Sequence, residues 1–361
     1  MDIRFELLPP AMRRARPTDE STLGFGSIFT DHMFLLEYDA DRGWHSGRVA
    51  PYGPVSLDPA AMVFHYGQEI FEGLKAYRGA DDAVRLFRPE ANFDRFRRSA
   101  SRVCFPELPV EDGLAATEAL LSVDHAWIPS FHGASLYIRP AMIATEVGLG
   151  VRPAKKALFF IIAGPVGNYY ARGLEPVRIL VEETYTRASK GGTGEAKTGA
   201  NYVASLLAAE EAKKQGCDQV LWLDGAERRY VEEVGTMNIF FLFRDELVTP
   251  PLGGSILPGI TRDSALAIAR DWGMKVSERP IEISEVIDGA AKGTLVEVFG
   301  TGTAAVISPV GALKYGGRDV VVNGGRMGAF SQRLYDEITG IQYGEREDRR
   351  GWVKVVETAT P

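Results

Sequence analysis

KGGTGEAKTGANY (Lys190–Tyr202) sets a lysine, Lys197, in a glycine-rich loop just ahead of an apolar helix predicted over Tyr202–Gln215. Glycines at such a place let the backbone approach a ligand closely. Within the stretch, GGTGEAKT (Gly191–Thr198) nearly has the spacing of a nucleotide phosphate loop, but Ala196 stands where the second glycine belongs. Glu195 would repel a triphosphate. A nucleotide-binding ATPase is therefore one rival reading, and the loop by itself does not decide what Lys197 does.

Three other regions bear on it. SILPGITRDS (Ser255–Ser264) runs from a Pro-Gly turn into a predicted helix, so the amides of Ile260 and Thr261 would face an anion from a helix N-terminus. FGTGTAA (Phe299–Ala305) is a second Gly/Thr loop with hydroxyls and free N–H groups. Singly, each also reads as an ordinary turn. In YVEEVGTMNIFF (Tyr230–Phe241), two glutamates lead into a strand apolar enough to be interior. A carboxylate entering such a core needs a partner. A cationic cofactor ring would be one, and a structural ion pair with Arg228 or Arg229 another.

Outward from these stretches the pattern is mixed α/β. Strands are predicted at Met33–Tyr38, Leu74–Arg78, Val84–Phe87, Ser135–Ala144 and Ala157–Ala163, the last a fully buried apolar run. Pro89 opens a helix in which Phe93, Phe96, Ala100 and Val103 share a face. GPVGNYYARGLEP (164–176) is dense in turn residues and marks a connection between domains. Beyond it, strands at Val177–Glu182, Asp218–Asp224, Met237–Phe243, Glu246–Thr249 and Thr294–Phe299 alternate with helices at Tyr202–Gln215 and Arg262–Trp272, and a helix at Met327–Ile341 closes the series. The expected division is a smaller N-terminal domain (1–164), a connecting loop (165–176) and a larger C-terminal domain (177–361). No repeat of about 20–50 residues and no low-complexity tract is present.

A chain of 361 residues exceeds the size at which one core usually stops growing, which agrees with two domains. A net charge of −7 leaves no electrostatic footprint for nucleic acid or an anionic membrane. The one basic cluster, Arg13, Arg14 and Arg16, reads as a solvated face. Two cysteines, Cys104 and Cys217, are too few for a disulfide framework, which fits a cytoplasmic location. No apolar run approaches the roughly 20 residues of a membrane span.

Taken together, FGSIFTDHMF (Phe25 is its first residue), FHYGQEIFEGLKAYR, RLFRPEANFDRF, SLYIRPAMIA, GEAKTGANY, EEVGTMNIFF, LPGITRDS, FGTGTAA and EITGIQYG resemble, in order and over nearly the whole chain, the branched-chain amino acid aminotransferases. These are fold type IV enzymes dependent on pyridoxal 5'-phosphate. The resemblance implies two α/β domains enclosing the cofactor, with Lys197 as its Schiff-base lysine and proton carrier. It places Glu233 on the pyridine nitrogen, Tyr202 on the phenolic oxygen, and Arg95, Thr236, Ile260, Thr261 and Thr303 around the phosphate. Glu232 is then a bystander.

For substrate, the resemblance implies walls from Phe25, Tyr66, Phe71 and Tyr169. Tyr137 and Arg139 receive a distal carboxylate, and the amides of Thr303 and Ala304 take the α-carboxylate. It implies transfer between leucine, isoleucine or valine and 2-oxoglutarate by a homodimer. A D-amino acid aminotransferase and an aminodeoxychorismate lyase are rivals sharing the fold. One departure stands out: Ala305–Ser308 occupies the place of the Cys-x-x-Cys pair of some vertebrate-type members, which removes a thiol switch there.

Overall fold

Residues 1–19, 23–131, 133–167 and 174–358 are described in a computed structural model. The chain divides into two compact units. One comprises Met1–Tyr169, Ala196–Gly199 and Gly340–Pro361, and the other Tyr170–Glu195 and Ala200–Thr339. A single crossing near 165–176 therefore does not describe the chain, and the N-terminal unit is the larger rather than the smaller. The physical reason lies in long-range pairing. A C-terminal strand completes the first sheet, and the lysine segment is hydrogen-bonded to elements of the first unit.

The first unit is built on β1 (Arg4–Phe5), β2 (His32–Asp39), β3 (Gly43–Pro51), β4 (Glu69–Phe71), β5 (Leu74–Arg78), β6 (Val84–Phe87), β7 (Ser135–Ala144) and β8 (Lys156–Val166), with β18 (Val353–Val356) from the chain's end. Their order is β1-β3-β2-β8-β7-β5-β6-β18, and β4 pairs with β7. Helices α1 (Met62–Tyr66), α2 (Pro89–Arg102) and α3 (Val110–Asp124) accompany them. In β8 both faces are covered. Ala157, Phe159, Ile161 and Ala163 join the main core, and Leu158, Phe160 and Ile162 join a second cluster on the opposite face. That explains its unbroken apolar run. In β7 the period of two matters more: Leu136, Ile138 and Met142 enter the core, so Tyr137 and Arg139 face the other way.

Arg13, Arg14 and Arg16 near the N-terminus are exposed, as expected of a solvated face, and two of them also reach fixed acceptors. Arg14 donates to the Thr30 carbonyl and its N–H bonds Asp31 Oδ1 at 2.9 Å, and Arg16 Nη1 bonds the Ala126 carbonyl at 3.1 Å. The buried Asp31 also accepts from Trp127 Nε1 at 3.0 Å, so the arm meets a fixed acceptor that charge counting could not reveal.

The second unit holds β9 (Val177–Val181), β10 (Gln219–Leu223), β11 (Val231–Val234), β12 (Met237–Phe243), β13 (Glu246–Thr249), β14 (Val276–Glu278), β15 (Leu295–Gly302), β16 (Val306–Tyr315) and β17 (Arg318–Val321). Pairing runs β11-β10-β9-β16-β15-β12, and β11 also pairs with β12, so six strands close on themselves and lose their free edges. Ile239 and Phe241 point into this unit's core, while Phe240 stacks on Phe299 at 5.2 Å. Its helices include α4 (Gly199–Val203), α5 (Leu206–Lys214), α6 (Ile260–Asp271), α7 (Ile283–Lys292) and α8 (Ala329–Tyr343), of which α4 starts and α8 ends in the first unit. The one helix predicted over Tyr202–Gln215 is broken: the Ser205 N–H and hydroxyl both bond the Tyr202 carbonyl, at 3.1 and 2.7 Å, in place of helical ladder bonds.

Candidate active site

In the first unit, Lys197 is fixed through its backbone. Its N–H donates to Ser99 Oγ on α2 at 2.9 Å, and its carbonyl accepts the Phe71 N–H of β4 at 3.0 Å. The ammonium lies 4.8 Å from the centre of the Phe71 ring. Beneath it, the buried Arg95 grips Glu72 in a two-point pair, Nε to Oε1 at 2.7 Å and Nη2 to Oε2 at 2.9 Å. Asn92 Nδ2 donates to the same Glu72 Oε2 at 2.8 Å and holds the Gly73 carbonyl at 3.2 Å. Burial alone would raise the Glu72 carboxyl, but the charge and hydrogen bonds of Arg95 outweigh it and hold the group below the usual glutamate range.

Several residues expected to wall the substrate pocket form a chain of contacts from this point. The Arg139 guanidinium lies 4.6 Å from the Phe71 ring centre and 5.3 Å from that of Tyr137, and its Nη2 donates to Tyr137 Oη at 3.1 Å. Arg139 Nε is buried with no hydrogen-bond partner among the described residues. Phe25 sets its ring edge-on to Tyr137 at 4.9 Å. Lys197, Phe71, Arg139, Tyr137 and Phe25 are thus brought into one strip. Tyr66, at the end of α1, is exposed and donates to the Leu149 carbonyl instead. Tyr169 lies outside the described residues.

In the second unit, Glu233 is buried on β11 and makes its ion pair with Arg187. Asn238 Nδ2 donates to Glu233 Oε1 at 3.1 Å and to the Leu257 carbonyl at 2.9 Å. The alternative of an ion pair with Arg228 or Arg229 is not what forms: Arg228 bonds the Tyr185 carbonyl and Arg229 pairs with Glu282. Sequence distance hid Arg187, which reaches Glu233 from a loop that also presents Gly194 and is held by the Ser255 carbonyl at 2.5 Å. Glu232 faces elsewhere, accepting from Ser255 Oγ, and burial pushes its carboxyl up.

The turns expected to bind an anion are also here. Ile260 and Thr261 open α6 after Gly259, an N-cap with no side-chain hydrogen bond. Thr303 and Ala304 lie in the turn between β15 and β16, Thr236 is exposed in the turn between β11 and β12, and Tyr202 is part-buried on α4. Thr301, in register with Asn238, buries an Oγ1 that has no partner among the described residues.

These features fit a pyridine phosphate. A Cβ on Gly259 would fall on Asn238 Oδ1, so glycine keeps the α6 N-terminus close to the Glu233 network. A Cβ on Gly194 would come within 2.6 Å of the Ser255 carbonyl carbon. Backbone cannot yield there as a flexible side chain would, so Gly194→Ala is expected to lower unfolding free energy by about 1–3 kcal/mol, measured by denaturant titration. An unchanged midpoint would show that the loop has room to move.

Sequence reasoning missed Glu72, Asn92, Ser99, Arg187 and Asn238. A signal existed for two of them: Asn92, Arg95 and Ser99 recur at helical spacing beside the apolar face of α2, an unusual polar stripe for a buried surface. Arg187 and Asn238 carried no such mark.

The family model of the class IV amino-transferases matches residues 69–313. The chain belongs to this family, whose members depend on pyridoxal phosphate. Within it, the chain is 52% identical to branched-chain-amino-acid aminotransferase 2 of Bacillus subtilis, covering 99% of this chain and 98% of that protein. Among solved structures, the branched-chain amino acid aminotransferase of Escherichia coli superposes with a TM-score of 0.77 at 28% identity, covering 91% of this chain and 99% of that one. The branched-chain aminotransferase of the thermophilic archaeon Thermoproteus uzoniensis, solved with norvaline, gives 0.75 at 27% identity, covering 90% and 100%. The phosphate-loop reading of Gly191–Thr198 gives way to this membership. No helix among the described residues is long and apolar enough to cross a membrane.

Proposed function

We propose that this enzyme exchanges the amino group of leucine, isoleucine or valine with 2-oxoglutarate, with Lys197 as the covalent anchor and proton carrier. The observation that carries the reading is the strip joining Lys197 through Phe71 to Arg139 and Tyr137. When bound, pyridoxal phosphate supplies an electron sink for charge developing at the substrate's α-carbon. Glu233, held by Arg187 and Asn238, keeps a proton on the ring nitrogen. Tyr202 donates to the phenolic oxygen. Arg95, the amides of Ile260 and Thr261, Thr303 and Thr236 take the phosphate. Lys197 Nζ would carry the proton between the substrate's α-carbon and the cofactor's C4′.

Substrate selection follows from the same strip. Phe25, Phe71, Tyr66 and Tyr169 offer apolar wall to a branched side chain, and Tyr137 and Arg139 meet the distal carboxylate of the acidic substrate. The amides of Thr303 and Ala304 hold the α-carboxylate that both substrates share. We take the active form to be a cytoplasmic homodimer.

The test is coupled glutamate formation from a panel of L- and D-amino acids with 2-oxoglutarate. Leucine-type L-substrates should lead; aromatic or D-amino acids ahead by more than about tenfold in kcat/KM would overturn the substrate assignment. Arg139→Ala should lower kcat/KM for 2-oxoglutarate by about tenfold to a hundredfold, the range of a lost charged hydrogen bond, and that for leucine far less. Equal losses would reduce Arg139 to a support of the fold.

A further inference from the structure

Glu69 opens β4, two residues before Phe71, and no role in the chemistry above uses it. The β4–β7 register sets Glu69 opposite Ile143 and Phe71 opposite Ala141. Ile70 and Met142 enter the core, so Glu69 and Phe71 lie on the opposite face of the sheet with Tyr137, Arg139 and Ala141. From there, Glu69 Oε1 accepts the Gly199 N–H and lies 3.4 Å from Thr198 Oγ1. A Cβ on Gly199 would fall on that oxygen. Together with the bonds from Lys197 to Ser99 and from Phe71 to Lys197, the segment Lys197–Gly199 is tied to the first unit at three successive residues.

The same carboxylate lies in the field of Arg139. Burial holds its pKa above the ordinary glutamate value, against the opposing pull of the Gly199 and Thr198 hydrogen bonds and the Arg139 charge. Arg139 itself has aromatic faces on two sides, one hydrogen bond to Tyr137, and a buried Nε without a partner among the described residues. An apolar substrate beside such a guanidinium leaves the cation poorly compensated, and a nearby carboxylate relieves that cost. An acidic substrate brings its own carboxylate and is opposed by the one already there.

We propose that Glu69 is a positioning and specificity-determining residue: it clamps the Thr198–Gly199 backbone and serves as the standing counter-charge of Arg139, favouring the apolar substrate over the acidic one. The second role rests on the pocket assignment of Arg139 made above; the clamp does not.

Two substitutions separate the roles in the holoenzyme. Glu69→Gln retains an acceptor for Gly199 but removes the charge, so the ratio of kcat/KM for 2-oxoglutarate to that for leucine should rise about fivefold, the scale of a partly exposed charge pair. In an Arg139→Ala background, the same substitution should leave the ratio unmoved. Glu69→Ala removes the acceptor, and hydrogen exchange in a peptide covering 196–203 should quicken about tenfold, while Glu69→Gln exchanges as the parent does. A ratio unchanged by Glu69→Gln, or a shift that persists without Arg139, overturns the counter-charge. Exchange unchanged in Glu69→Ala overturns the clamp. If Arg139→Ala harms both substrates equally, the pocket assignment fails instead, and the exchange result still judges the clamp.

Discussion

Lys197→Ala should abolish transamination, with kcat at least about four orders of magnitude below the parent, since covalent anchoring and proton transfer are lost together. The backbone of residue 197 is held by Ser99 and Phe71 independently of its side chain, so the variant should fold normally. Three readouts check this: steady-state rate, the visible absorbance band on adding pyridoxal phosphate, and borohydride trapping. The parent should give a trapped adduct at Lys197, and the variant none. A variant that still forms the adduct, or turns over within a hundredfold of the parent, would remove Lys197 from the chemistry.

Glu72→Gln should have the largest effect on stability. It leaves Arg95 buried against an amide, and breaking a buried ion pair from one side costs about 3–5 kcal/mol. The pH dependence has a defined sign. Because Arg95 holds the folded-state pKa of Glu72 below its unfolded value, the pair's stabilisation is fully present above the usual glutamate range and disappears as pH falls through the lowered folded value. The stability gap between parent and Glu72→Gln should therefore be full at pH 7 and shrink below about pH 4. Denaturant midpoints across that range provide the measurement. A gap that is constant with pH would mean that Glu72 is not ionised in the folded protein.

These two residues differ in how they could be found. Lys197 sits in a run of glycines and small residues whose composition demands a close backbone approach, so it could be picked out before any fold was known. Glu72 is one glutamate among many. Only the pairing of β4 with β7 and the packing of α2 bring it to Arg95, which is buried in the polar stripe of that helix.

The strands were legible for a related reason. Leu74–Arg78, Val84–Phe87, Ser135–Ala144, Met237–Phe243 and Glu246–Thr249 have the bounds that alternation and apolar runs predict, because side-chain period and burial are written residue by residue. The strands Gly43–Pro51, Val306–Tyr315 and Val353–Val356 and the helices Val110–Asp124 and Ile283–Lys292 carry weaker or interrupted patterns that do not predict them.

The sequence by itself determined the class of fold, and it singled out the lysine and the aromatic and cationic residues proposed for the pocket, since each rests on local composition or on motifs in a fixed order. Tertiary structure alone decided which charges neutralise one another. Glu233 meets Arg187 rather than its neighbours in the chain, Glu72 meets Arg95, and Glu69 meets the backbone of Gly199. It also decided that four residues around Lys197 and the last strand belong to the first unit. The physical reason is common to all of these. A buried charge or an open strand edge must find a partner, and that partner is fixed by which elements pack together, not by distance along the chain.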